Sequence, residues 1–121
     1  MAKIMIVDDN KDIIQTLQIS VKKAGYKTAM AYDGEEFLRS VRKHKPNLVL
    51  LDVVMPGLNT SQILNELKKM GLGNLKIILV TAVRFSEEEK AVLFREPNII
   101  DYITKPFDIN DLMERLKKNV P

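Results

Sequence analysis

Five residues able to do chemistry each stand at the end of an apolar run. In "KIMIVDDNKD" the run Ile4–Val7 ends in Asp8 and Asp9; in "NLVLLDVVMPG" Asp52 follows four apolar residues; in "KIILVTAV" Thr81 follows Val80; in "DYITKPFD" Lys105 precedes Pro106. Adjacent carboxylates repel each other and resist the loss of water, so Asp8 and Asp9 form either a solvated turn or a cation site. Hard carboxylate oxygens without His or Cys suit Mg2+, and Mn2+ shares that preference. A carboxylate held beside such an ion can attack phosphorus and form an acyl phosphate. The metal and a lysine would neutralise charge on the transferring oxygens, and a hydroxyl with backbone N–H groups would bind the phosphoryl group. Singly, each residue has an ordinary alternative: a turn or cap for the Asp pair, a strand end for Asp52, a strand filler for Thr81, a solvated loop charge for Lys105. Their joint placement after successive apolar runs carries the argument.

The elements that must position them alternate in texture. Short apolar runs predict strands over Lys3–Val7, Thr28–Ala31, Leu48–Leu51, Ile77–Val80 and Ile100–Ile103. Between them the spacing is helical. Ile13, Ile14, Leu17 and Val21 form one face ending near Gly25; Phe37, Leu38 and Val41 form another up to "KHKPN"; Ile63, Leu64, Leu67 and Met70 form a third up to "GLGN". A short fourth helix is marked by Ala91, Val92 and Phe94 or Arg95, with Ser86 and Glu89 as a capping box, and Asp108 caps a fifth carrying Ile109, Leu112, Met113 and Leu116. Strands alternating with helices imply an α/β fold with a parallel sheet covered on both faces. In such sheets the ligand site lies outside the carboxyl ends of the strands. That edge would gather three carboxylates, one hydroxyl and one ammonium.

The totals agree. A chain of 121 residues fits one domain, burying roughly two-thirds of its unfolded surface. With 45% apolar and 29% charged residues it has the composition of a folded soluble protein. The absence of cysteine excludes disulfides and thiolate metal sites. No apolar stretch reaches the roughly 20 residues of a membrane span, and "MAKIMIVDD" lacks the features of a secretory signal, so a cytoplasmic protein without membrane insertion is expected. The net charge of +3 is spread over helix faces, which argues against direct nucleic-acid binding. His44 lies in a basic helix end, "RKHKP", which suits dipole compensation rather than phosphotransfer. The methionines read as core filler, except Met55 in the "MPG" loop.

On "VDD", "LLDVVMPG", "VTA" and "DYITKPF", taken in order and spacing, the chain resembles a response-regulator receiver domain, the phosphoacceptor of two-component signalling. The resemblance covers essentially residues 1–121, and no output domain is expected in this chain. It implies a single (βα)5 flavodoxin-like, doubly wound domain with strand order 2-1-3-4-5 and helices on both faces. It implies Asp52 as phosphoacceptor, with Asp8, Asp9, Asp52 and the backbone carbonyl of Val54 holding Mg2+. Thr81 would hydrogen-bond the phosphoryl group and Lys105 would pair with it. Tyr102 matches the aromatic whose inward or outward position accompanies activation together with Thr81. The donor would be a sensor histidine kinase or phosphotransfer protein. A downstream protein or output domain would read the fourth helix, fifth strand and fifth helix, with the chain a monomer or a phosphorylation-dependent homodimer. Such a domain assists its own phosphotransfer and slow dephosphorylation without being a conventional enzyme.

Several positions depart from the family's pattern. Asn59 and Thr60 replace a common Asp-Gly pair; Asn59 can still cap the third helix, whereas Thr60 removes a permissive glycine. "FREPNIIDY" is longer than usual before the fifth strand, with Pro97 and Ile99 expected near the output surface. Val54 and Val83, at the positions that influence attack of water on the acyl phosphate, offer no hydrogen bond to orient it, which predicts slow dephosphorylation. Two other readings compete. An Asp-nucleophile phosphohydrolase would want an acid two residues past the nucleophile, where Val54 stands; a receiver-like binding module without phosphorylation would have no use for the complete set of five.

Overall fold

The computed structural model describes residues 2–120. Chain order gives β1 (Lys3–Val7), α1 (Lys11–Lys23), β2 (Lys27–Ala31), α2 (Gly34–His44), β3 (Leu48–Leu51), α3 (Thr60–Lys69), β4 (Lys76–Thr81), α4 (Glu87–Leu93), β5 (Ile99–Thr104) and α5 (Ile109–Asn119). The five strands form one sheet in the order β2-β1-β3-β4-β5, and every pairing is parallel. This is the flavodoxin-like, doubly wound topology that the resemblance implies, with its order reversing beside β1.

Side chains of a strand alternate between the two faces of the sheet, so each strand feeds two cores. Met5, Val7, Val49, Leu51, Ile77 and Leu79 pack with Phe37, Val41, Ile63, Leu64 and Leu67 of α2 and α3. Their neighbours Ile4, Ile6, Leu48, Leu50, Ile78 and Val80 pack on the other face with Ile14, Leu17 and Val21 of α1 and with Leu112 and Leu116 of α5. The central strands are buried on both faces, which is why they read as continuous apolar runs rather than alternating ones.

The helices begin where short polar side chains can satisfy their free N–H groups. Asn10, Asp33, Asn59, Ser86 and Asp108 are the N-caps, and Asn59–Gln62 and Ser86–Glu89 form complete capping boxes. Thr60 is the first residue of α3, and the left-handed turn that the loop requires is supplied by Gly57 at φ +90°. β4 and β5 extend beyond their predicted ends to include Lys76, Thr81, Ile99 and Thr104. The long "REPNII" segment is absorbed by a register shift, since Ile77 pairs with Ile99 but Ile78 pairs with Asp101. Ile99 is buried in the first core rather than at the surface where the sequence reading put it. Val92 and Phe94 of the α4 region are exposed instead of forming an inward face.

Candidate functional site

Register alone brings the first two acids together. Val7 of β1 pairs with Leu51 of β3, so the next residues, Asp8 and Asp52, leave adjacent strand tips at the same level. The Asp52 amide donates to the Val7 carbonyl at 3.0 Å, fixing that junction. On the other side Thr81 pairs with Thr104, and the Lys105 amide donates to the Thr81 carbonyl at 2.8 Å. The lysine therefore starts one strand beyond β4, and its stem must cross the tip of β4 to reach the acids.

It does reach them. Lys105 Nζ lies 2.7 Å from Asp8 Oδ2 and 2.9 Å from Asp52 Oδ2, donating to both. The remaining oxygens are also held: the Asn10 amide donates to Asp8 Oδ1 at 2.9 Å, and the Val54 amide to Asp52 Oδ1 at 3.0 Å. Asp8 and Asp52 are buried, whereas Asp9 faces solvent. Oxygens of all three carboxylates fall within 4.8 Å of one another.

The electrostatics follow from burial and charge. Burial raises the pKa of Asp8 above the ordinary aspartate value, and the hydrogen bonds from Lys105 and the Asn10 amide only partly oppose it. Burial also works against charge on Lys105, but hydrogen bonds and attraction from Asp8 and Asp52 prevail and hold its pKa above that of a free lysine. Three carboxylates face one ammonium, an excess of negative charge in a partly dry corner. Closely spaced hard oxygens with that excess fit a small divalent cation of the Mg2+ kind.

Thr81 is fully buried, and its Oγ1 accepts from the Val83 amide at 3.3 Å. Tyr102 is half-buried against the first core. Its hydroxyl donates to the Val83 carbonyl and accepts from the Phe85 amide at 3.3 Å, so Thr81 and Tyr102 both hold the loop at Val83. Val54 is exposed at the lip of the acidic corner and Val83 is half-buried. His44 lies in the last turn of α2, at the opposite end of the sheet from the acids.

Sequence reasoning missed three contributors. Asn10 caps α1 with its side chain while its amide holds Asp8, and the Asn-x-x-Ile helix start was a usable signal for the cap. Asn98 is fully buried and donates to the carbonyls of Leu72 and Leu75, tying the α3–β4 loop to the start of β5. Lys90 stands 5.6 Å over the ring of Tyr102. Neither of the last two announces itself in composition or spacing.

A parallel five-stranded sheet with an acid cluster and a lysine at its carboxyl edge defines a doubly wound α/β domain with a charged site at that edge. The chain matches the family model described as "Response regulator receiver domain" over residues 4–117, and it belongs to that family. It is thus the receiver domain of a two-component response regulator. Its fold is similar to the chemotaxis protein CheY4 of Vibrio cholerae, at 26% identity and a TM-score of 0.86 over 99% of each chain. It is also similar to the Francisella response regulator 1452 receiver domain, at 29% identity and a TM-score of 0.84, covering 98% of this chain and 95% of that one. The response regulator TrrA of Thermotoga maritima, solved in complex with Mg2+-BeF, gives 30% identity and a TM-score of 0.83 over 99% of this chain and 100% of that one. No helix among the described residues is long and apolar enough to cross a membrane.

Proposed function

We propose that Asp52 accepts a phosphoryl group from a phosphohistidine of a sensor kinase or phosphotransfer protein. A carboxylate oxygen of Asp52 forms the new O–P bond, the N–P bond breaks, and the imidazole nitrogen keeps the released electron pair and takes up a proton. Asp8, Asp9 and Asp52 with the Val54 carbonyl would hold Mg2+, and Mn2+ is expected to substitute. When bound, the ion supplies positive charge against the phosphoryl oxygens. Lys105 orients Asp52 beforehand and then turns its ammonium to the phosphoryl group. The Thr81 hydroxyl exchanges its hydrogen bond with the Val83 amide for one with that group. Tyr102, bonded to the same loop, passes the change to the face formed by α4, β5 and α5, where a downstream protein or output domain reads it. The observation that supports this most is Lys105 bridging Asp8 and Asp52, with Asp9 completing the acid cluster.

Incubation with acetyl phosphate and Mg2+, followed by intact mass, tests the reading. One phosphoryl adduct is expected, dependent on the divalent ion and lost in Asp52→Ala. The same adduct in Asp52→Ala, or sustained turnover of a generic phosphate ester, would overturn it.

A further inference from the structure

Of the residues in α4, only Lys90 and Leu93 are even half-buried; Glu87, Glu88, Glu89, Ala91 and Val92 are exposed. Positions three apart share a helix face, so these two side chains constitute the inward face of α4. Leu93 packs on the first core, as Tyr102 does. Lys90 places its ammonium 5.6 Å from the centre of the Tyr102 ring, within the range at which a cation is attracted by the ring face. Its other partner is the exposed Glu87, at 3.4 Å, a surface pair of the kind worth little by itself. The ring is held in turn by Phe85, whose centroid lies 5.3 Å away, and by the backbone of Val83 and Phe85.

An ammonium facing inward from a helix needs a reason to stay there, because its stem can carry the charge out to water. Here the reason is the ring. With Tyr102 turned away, Lys90 would retain only Glu87 and solvent, and the inward face of α4 would shrink to one leucine.

We propose that Lys90 is a positioning residue that couples the orientation of α4 to the side-chain position of Tyr102, the ammonium over the ring holding helix and ring in register. The proposal rests on the receiver reading only in taking Tyr102 as the switch; the coupling itself needs no phosphoryl chemistry. It makes the charge of one α4 side chain a determinant of how firmly the output face keeps its present arrangement.

The test uses the full chain without phosphorylation, comparing Lys90→Met, Lys90→Arg and Tyr102→Leu, alone and combined, by NMR of the Tyr102 ring and the α4 amides. Lys90→Met is expected to lower the ratio of docked to undocked Tyr102 by about 2- to 5-fold, and Lys90→Arg to preserve it. In the Tyr102→Leu background, Lys90→Met should no longer move the α4 amides. An unchanged Tyr102 ratio in Lys90→Met would overturn the proposal, as would equal α4 responses with and without the ring. If Tyr102→Leu does not fold, Lys90→Met against Lys90→Arg decides alone. Absence of an Asp52 adduct with acetyl phosphate would sink the receiver chemistry while leaving this comparison readable.

Discussion

The segments that leave the sheet after Asp52 and after Thr81 start alike and end differently. Each carries a valine two residues past the site residue, Val54 in one and Val83 in the other, and each opens its helix with a complete capping box. From there they part. α3 buries Ile63, Leu64 and Leu67 against the first core, whereas no residue of α4 is fully buried, and Val92 within it and Phe94 at its end are 59% and 44% exposed. A fully buried aliphatic side chain is worth about 1.5–3 kcal/mol, so α3 is anchored by several kcal/mol that α4 does not have. Equal local signals thus produce one fixed helix and one held by rim contacts. The fixed arm carries the proposed phosphoacceptor and the loose one carries the proposed response.

The largest effect should come from cutting the anchor. Leu67→Ala is expected to lower the stability of the whole domain by about 2–5 kcal/mol in urea denaturation. Leu93→Ala, at a half-buried position, should cost less than half as much, and the reverse order would break the comparison. Next, Val54→Asn combined with Val83→Glu should shorten the lifetime of the acyl phosphate by up to about 100-fold, the low end of what a positioned base supplies. An unchanged lifetime would mean that the two loops do not govern access of water.

The caps should sharpen the contrast. Asn59→Ala is expected to cost about 1 kcal/mol of global stability. Ser86→Ala should instead speed amide exchange within α4 while leaving the denaturation midpoint nearly unmoved. The smallest effect is a matter of pH. The hydrogen bonds from the Ser86 amide and side chain hold the pKa of Glu89 below its ordinary value of 4.5. A depressed carboxyl stabilises its helix above its unfolded pKa and loses that contribution as pH falls through the folded one. The protection of the α4 amides, taken relative to their intrinsic exchange rate, should therefore fall in acid below about pH 4.5, and Glu89→Gln should reduce the response. α3 has Gln62 in the same place and should show none.

Much of this was readable from residue types. Parallel strands buried on both faces leave unbroken apolar runs, and the rule that sites gather at their carboxyl ends led directly to Asp8, Asp52, Thr81 and Lys105. The strand ends were less legible, because Lys76 and Ile99 are enrolled by backbone pairing rather than by pattern. Val92 and Phe94 misled because an apolar residue on a short rim helix says nothing about which way it faces; Lys90 and Leu93 look inward instead. Asn98 and the partners of Tyr102 were invisible, since their bonds join segments distant in sequence. Nor did residue types show that Lys105 bridges Asp8 and Asp52.

That double engagement has a consequence. A nitrogen already shared by two oxygens is a donor that every newcomer must win, so the grip of this corner on an anion is a difference between two sets of bonds rather than a fresh sum. The lysine also sits on the same strand end as Tyr102, three residues along. A change of partner at its tip would therefore bear on the strand that carries the ring as well as on the loop after Thr81.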